Sequence, residues 1–94
     1  MFYIHFDETE NLLKLRIEQY FDEPEAKEWS RQVEVCLEKI PVGFKILTDL
    51  RDLETFDKSA VQYLDSVMDA CNGKGVSKIV RIIPDKTKIS PARI

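Results

Sequence analysis

Two carboxylates near the middle of the chain are the first residues with the potential for chemistry. Asp49 and Asp52 follow a stretch that has the apolar character of a buried strand. Because open α/β sheets place ligands at the carboxyl ends of their parallel strands, carboxylates here could bind a hard cation or share a proton. Only these two ligands are visible, and Arg51 between them offers neutralisation. The pattern therefore favours solvated loop charges over a metal site.

Ser59 is the second candidate. Asp57 is a predicted N-cap, which places the Ser59 hydroxyl in the first turn of a helix, where backbone amides and the helix dipole favour negative charge. A phosphate on Ser59 would meet several acidic neighbours and few cations, namely Asp49, Asp52, Glu54 and Asp57 against Arg51 and Lys58. Phosphorylation would therefore change how this end binds a partner, and an ordinary first-turn serine is the alternative interpretation.

The other reactive residue types form no catalytic or metal-binding pattern. His5 is the only histidine, and period-2 alternation puts it opposite the apolar face of the first strand. The glycines around Lys74 join a helix to a strand, the reverse of a Walker loop. Cys36 and Cys71 lack metal spacing and fall on apolar helical faces, which predicts buried thiols. We predict no enzyme activity, no metal and no cofactor.

Composition indicates one globular domain with a single core, since the 94 residues are 44% hydrophobic and 33% charged. The sequence has neither an apolar run near 18 residues nor a signal peptide, so we predict a cytoplasmic protein without a membrane span. Residues 1–72 carry a net charge of −8 and residues 73–94 one of +5. The acidic body would repel a polyanion and the basic tail lacks aromatic residues, so nucleic acid is not an expected partner. We expect the tail to dock on the protein's own acidic surface.

Hydrophobic periodicity predicts four strands and two helices. In order, these are strands at 2–6 and 13–17, a helix from Asp22 to Ile40, a strand at 44–50, a charged loop at 51–55, a helix from Asp57 to Gly73 and a buried strand at 76–83. Strands separated by helices are expected to lie parallel, with right-handed crossovers. The prediction is an α/β fold: a four-stranded mixed sheet, formed by an N-terminal β-hairpin and then βαβαβ, with two helices on one face.

The end of the sequence carries a further helix-start signal. Ser90 and Pro91 have the types expected of an N-cap and a first helical residue. Because the sequence stops before a helix could form, we predict a single domain over residues 1–94 that is truncated at its carboxyl end. A frayed tail closed by Pro91 is the alternative.

The segment over residues 49–61 resembles the STAS domain of anti-sigma-factor antagonists and sulfate-transporter tails. In that family a strand ending in Asp-Leu-Ser-Gly leads into Asp-Ser-Ser-Gly-Leu at a helix start, and the second serine of the pair is phosphorylated. Asp49-Leu50-Arg51-Asp52 is similar to the first part, and Phe56-Asp57-Lys58-Ser59-Ala60-Val61 is similar to the second. Ser59 takes the phosphosite position. The element order and the last strand, at 78–85, resemble the STAS/SEC14-like branch.

The resemblance implies a noncatalytic, SpoIIAA-like bacterial regulatory module. It would bind a protein partner, in the family's best-known case an anti-sigma kinase, and phosphorylation of Ser59 would switch the contact. The partner-binding rim consists of Asp49, Arg51, Asp52, Asp57 and Lys58. On this resemblance, we expect residues 1–94 to lack the family's last helix and strand. Alternatives are small-ligand or lipid binding at the strand ends over 49–57, and a structural domain that forms a homodimer through an exposed last strand.

Overall fold

The structure, a computed structural model, describes residues 1–83. In chain order its elements are β1 (Phe2–Asp7), β2 (Leu12–Ile17), β3 (Gln19–Phe21), α1 (Glu23–Leu37), β4 (Lys45–Asp49), β5 (Leu53–Phe56), a 3-10 turn (Lys58–Ala60), α2 (Val61–Lys74) and β6 (Lys78–Ile82). None of the helices within this described part is long and apolar enough to cross a bilayer.

A four-stranded mixed sheet of order β1-β2-β4-β6 is the frame of the molecule. The hairpin β1–β2 is antiparallel, while β2–β4 and β4–β6 are parallel. Alternation along β2 buries Leu13, Leu15 and Ile17 on one face and leaves Lys14 and Arg16 exposed on the other. Both helices pack on the face that Leu15 occupies, so the predicted α/β architecture is confirmed.

Helix α1 begins where the sequence predicted. The Asp22 carboxylate accepts a hydrogen bond from the Glu25 amide at 2.9 Å, and Pro24 occupies the first turn. The buried stripe of the helix is Ala26, Trp29, Ser30, Val33 and Leu37. Trp29 meets Phe21 edge to face with ring centroids 5.7 Å apart, which anchors the helix over the chain segment that leads into it.

The glycine that caps helix α2 is Gly75, two residues later than the predicted Gly73. Gly75 has a φ of 98°, and its amide lies 3.2 Å from the carbonyl oxygen of Cys71, as in a left-handed helix cap. A Cβ on Gly75 would lie 2.9 Å from Cγ1 of Val42, whereas one on Gly73 would meet nothing within 4 Å. Gly73 is therefore an ordinary position inside the helix.

A second small sheet, formed by β3 and β5 in parallel, was not predicted. The prediction that residues 51–55 are only a loop is wrong, because β5 begins at Leu53. Gln19, with a φ of 60°, turns the chain out of β2 and donates its amide to the Asp52 carbonyl at 2.8 Å. Buried Phe21 and Leu53 then anchor the pair of strands against the main core.

Strand β6 forms in register with β4, but the prediction that it is buried is wrong. Ile79 and Val80 are 36% and 40% exposed, and Ile83 beyond them is 59% exposed. β-Branched residues suit a strand that is only half-buried, so the residue types predict a strand without predicting full burial. Among the described residues β6 lies at a sheet edge with a partner on one side, β4. The helix predicted to begin at Ser90-Pro91 lies outside the described residues.

Candidate functional site

The predicted site residues lie at or after the carboxyl end of β4, and Asp49 is the last residue of that strand. Arg51 and Asp52 form the turn between β4 and β5, and Asp57, Lys58 and Ser59 lie between β5 and α2. Arg51, Asp52, Lys58 and Ser59 are exposed, whereas Asp49 and Asp57 are partly buried. The small β3–β5 sheet holds both connections in place, because the Asp57 amide donates to the Phe21 carbonyl at 3.0 Å.

Asp49 and Arg51 form a two-pronged ion pair. The Nε and Nη2 atoms of Arg51 donate to the two carboxylate oxygens of Asp49 at 3.0 and 2.8 Å, and the Arg51 amide donates at 3.1 Å. These bonds lower the pKa of Asp49, the side-chain bond from Arg51 having the largest effect. Asp49 is therefore held ionised and its oxygens are already occupied.

Arg16 extends this arrangement across the sheet. Its Cα is paired with that of Asp49, and its Nη2 lies 2.5 Å from Asp52 and 2.7 Å from Glu18. We call Arg16, Glu18, Asp49, Arg51 and Asp52 the Asp49 cluster. The sequence suggested that these carboxylates are solvated singly. Instead, they pair with the two guanidinium groups of the cluster. Within the described chain no group of three or more His, Cys, Asp or Glu side chains is placed to hold a metal ion.

Asp57 belongs to a second group, and its predicted role as the cap of the second helix is wrong. Its side chain makes no capping bond to the 3-10 turn that precedes α2. One oxygen accepts instead from the Tyr20 hydroxyl, and the other accepts from the Glu23 amide at 3.2 Å. The first-turn amides of α1 lack partners within that helix, which is why a nearby carboxylate is drawn to them. The bond to Asp57 raises the pKa of Tyr20.

Ser59 is an exposed residue in the 3-10 turn directly before α2. Its carbonyl accepts from Gln62 Nε2 at 3.1 Å, and the same nitrogen lies 3.4 Å from a carboxylate oxygen of Glu23. We call Tyr20, Glu23, Asp57, Ser59 and Gln62 the Asp57 cluster. The Ser59 hydroxyl makes no hydrogen bond to any described residue, so it is available to solvent.

The structure therefore divides the predicted rim in two. No described hydrogen bond or ion pair joins the Asp49 cluster to the Asp57 cluster, and Ser59 shares its turn with Asp57 and Lys58. A shallow groove of about 550 Å³ runs along the Asp49 cluster, lined by Glu18, Gln19, Arg51, Asp52, Leu53 and Glu54. Arg16, Tyr20 and Glu23 were missed by sequence reasoning. Only Arg16 carried a signal, as a cation on a strand facing away from the core.

The remaining reactive side chains lie away from the rim. His5 is exposed on the sheet face opposite the helices, as the alternation along the first strand predicted. Cys71 is fully buried, and burial raises its pKa to about 11. Cys36 is partly buried, and burial raises its pKa as well. The prediction of buried thiols is confirmed for Cys71 and holds only in part for Cys36.

Comparison with known proteins establishes the fold. No family model and no curated protein matches the sequence. A solved structure of a protein designated Mglu is 10% identical with a TM-score of 0.69, over 89% of this chain and 20% of that one, so this chain spans a fifth of the Mglu chain. The unphosphorylated form of the anti-sigma factor antagonist SpoIIAA is 15% identical with a TM-score of 0.75, over 94% of this chain and 74% of that one. The chain has the SpoIIAA fold, as its resemblance to STAS domains predicted.

Proposed function

We propose that this protein is a noncatalytic regulatory module that binds a protein partner in the cytoplasm through its rim, and that phosphorylation of Ser59 switches that contact. The observation that carries the proposal is an exposed Ser59, with an unbonded hydroxyl, in the turn that opens α2 of a SpoIIAA-like fold. The partner class that fits is a kinase that also acts as an anti-sigma factor.

The charges around Ser59 explain how a phosphate would act. It would add a charge of about −1.5 to −2 beside Asp57 and Glu23, with Lys58 as the adjacent cation. Repulsion from these acids favours turning the phosphate outwards, into the surface that a partner would meet. The charged groups of the Asp49 cluster already form ion pairs with one another, so a phosphate on Ser59 should alter those pairs little. The switch is therefore a local change at the start of α2.

The test is to map phosphate on the protein isolated from its own cells, with variants at two serines. We expect a single added phosphate on Ser59 that Ser59→Ala abolishes and Ser66→Ala retains, since Ser66 is an exposed serine in the middle of α2. Phosphoserine at position 59 should then weaken binding of the partner kinase by at least about tenfold. Phosphate confined to other residues, or equal binding of both forms, would count against the proposal.

Self-association through β6 is a second candidate, favoured by the exposed apolar residues of that strand. An uncovered strand edge is a template for pairing with another chain. Light scattering should then give twice the monomer mass, and Ile79→Lys should restore the monomer mass. Val42→Lys is the matched control, because Val42 is 73% exposed and lies in a loop. A wild-type protein that stays monomeric at high concentration would exclude this candidate.

A further inference from the structure

A small cavity lies between the two helices and the sheet, apart from both rim clusters. It has a volume of about 50 Å³, and its polar lining consists of Trp29, Thr48, Asp65 and Arg81. Leu64 and Met68 of α2 contribute apolar walls. On the same measure one water needs about 10–15 Å³, so the space exceeds that of one water and suits a guest of a few heavy atoms.

Two of the lining residues carry buried polar atoms without a partner. Trp29 is 1% exposed and Thr48 is 6% exposed, and neither Nε1 of Trp29 nor Oγ1 of Thr48 forms a hydrogen bond with any described residue. Buried polar groups in native proteins are nearly always bonded, because an unmet donor loses its hydration without compensation. A guest in the cavity is the partner available to both.

Arg81 adds a positive charge beside these donors. Its Cα is paired with that of Thr48 in the β4–β6 ladder, so the two side chains lie next to each other on the helix-covered face. Arg81 is exposed, and none of the ion pairs among residues 1–83 involves it. Thr48 lies near the carboxyl end of β4, where open α/β sheets bind ligands.

We propose that this cavity is a binding site for a small monocarboxylate of the size of acetate. An indole N–H can only donate, a guanidinium can only donate, and a threonine hydroxyl can donate, so the set selects a guest rich in acceptors. The carboxylate accepts from Trp29, Thr48 and Arg81, and its short alkyl group faces Leu64 and Met68. The carboxylate of Asp65 repels the negative charge of the guest. The guanidinium group of Arg81 attracts that charge and so compensates for the repulsion. The inference does not depend on the proposed function.

The chain supplies its own reporter for a test, because Trp29 is the only tryptophan. In a ¹⁵N-labelled sample the indole N–H gives one cross-peak, which we would follow while sodium acetate replaces sodium chloride at constant ionic strength. We expect a saturable shift with a dissociation constant in the millimolar range, as a guest of so few atoms allows. Acetamide, which is neutral and of similar size, should bind at least about tenfold more weakly.

Three variants assign the binding to this site. Thr48→Val, which keeps the side-chain shape, and Arg81→Gln, at an exposed position that folding should tolerate, should each weaken acetate binding about tenfold or more. Lys78→Gln, in the same strand but facing away from the helices, should leave it unchanged. Asp65→Asn should bind at least as tightly as the wild type.

Several results would overturn the proposal. An indole peak that does not move with acetate would mean that the cavity holds water only. An equal response to acetamide would refute the carboxylate class, and an unchanged affinity in Arg81→Gln would refute the site. Thermal melting of each variant shows whether it is folded, so that a loss of binding is not mistaken for unfolding.

Discussion

The two faces of the main sheet differ in how strongly they constrain the types of their residues. On the helix-covered face Leu13, Leu15 and Ile46 are at most 1% exposed, and changing their size would leave a void or a clash. On the open face their strand neighbours Lys14 and Arg16 are exposed, and Arg16 pairs with charged groups at the surface. Burial thus constrains every second residue along β2 and β4. The residue types of the open face and the rim are left to solubility and to binding.

The largest difference in stability is expected between variants of two adjacent residues that point to opposite faces of the sheet. Leu15→Ala should lower the free energy of unfolding by about 2–4 kcal/mol, because it leaves a cavity under α1 and α2. Lys14→Ala should change it by less than about 0.5 kcal/mol. Urea denaturation of both variants measures the difference. Equal effects would contradict the division between the two faces.

A smaller effect is expected where the helical layer ends. Gly75→Ala should cost about 1–2 kcal/mol, because an L-residue resists a φ of 98° and its Cβ would press on Val42. Gly73→Ala, inside the helix with open space around it, should instead stabilise by up to about 1 kcal/mol. Thermal unfolding distinguishes the two signs. A stabilising Gly75→Ala would show that the left-handed cap is not required.

Next in size is the attachment of the 3-10 turn to α1. Asp57→Ala removes the bonds to the Tyr20 hydroxyl and the Glu23 amide and should cost about 1 kcal/mol in the free energy of unfolding. Lys58→Ala is the control, since Lys58 is the exposed neighbour and its side chain makes no described bond. Chemical denaturation should separate the two variants. If Lys58→Ala were equally costly, the effect would belong to the turn and not to the carboxylate.

The smallest effect on stability is expected from an ion pair on the open face, and this effect should depend on pH. Since folding lowers the pKa of Asp49 below its ordinary 3.8, the ion pair with Arg51 stabilises the protein above that pH and is lost as the pH falls through the lowered value. Arg51 is 62% exposed, so solvent screens the ion pair and we expect its contribution to be the smallest of the four.

The measurement is the melting temperature of Asp49→Asn and wild type across pH. The variant should melt lower at pH 7, and the gap should close at acidic pH. Asp69→Asn, at an exposed site on α2 without a described partner, should show no such gap. A gap that persists in acid would mean that Asp49 acts through its shape and not its charge.

Periodicity was sufficient to predict the main fold. Alternation along β2 and the three-to-four spacing of the apolar residues in both helices are set by burial against one sheet, so a single sequence carries them. The failures have local physical causes. β3 and β5 are three and four residues long and pair across a large sequence separation, which leaves no periodic signal.

The sequence predicted where the candidate rim residues lie in the fold but not how they bond to one another. The sequence located the rim after β4, because strand ends and turn residues are readable. It could not predict that the Asp57 carboxylate accepts a hydrogen bond from the first turn of α1, because that bond depends on how the 3-10 turn approaches another helix. Arg16 joined the Asp49 cluster only through strand pairing. The unpartnered atoms of Trp29 and Thr48 likewise exist only in the packed core.

The order of the strands in the main sheet also bears on how the protein is made. From β1 through β2 and β4 to β6, position in the sheet follows position in the chain. Each strand that leaves the ribosome can therefore join the outer side of the one before it, and no strand has to be inserted between two that are already paired. The hairpin can close within microseconds, while each later strand waits for a helix to be synthesised. Vectorial synthesis and assembly thus run in the same direction.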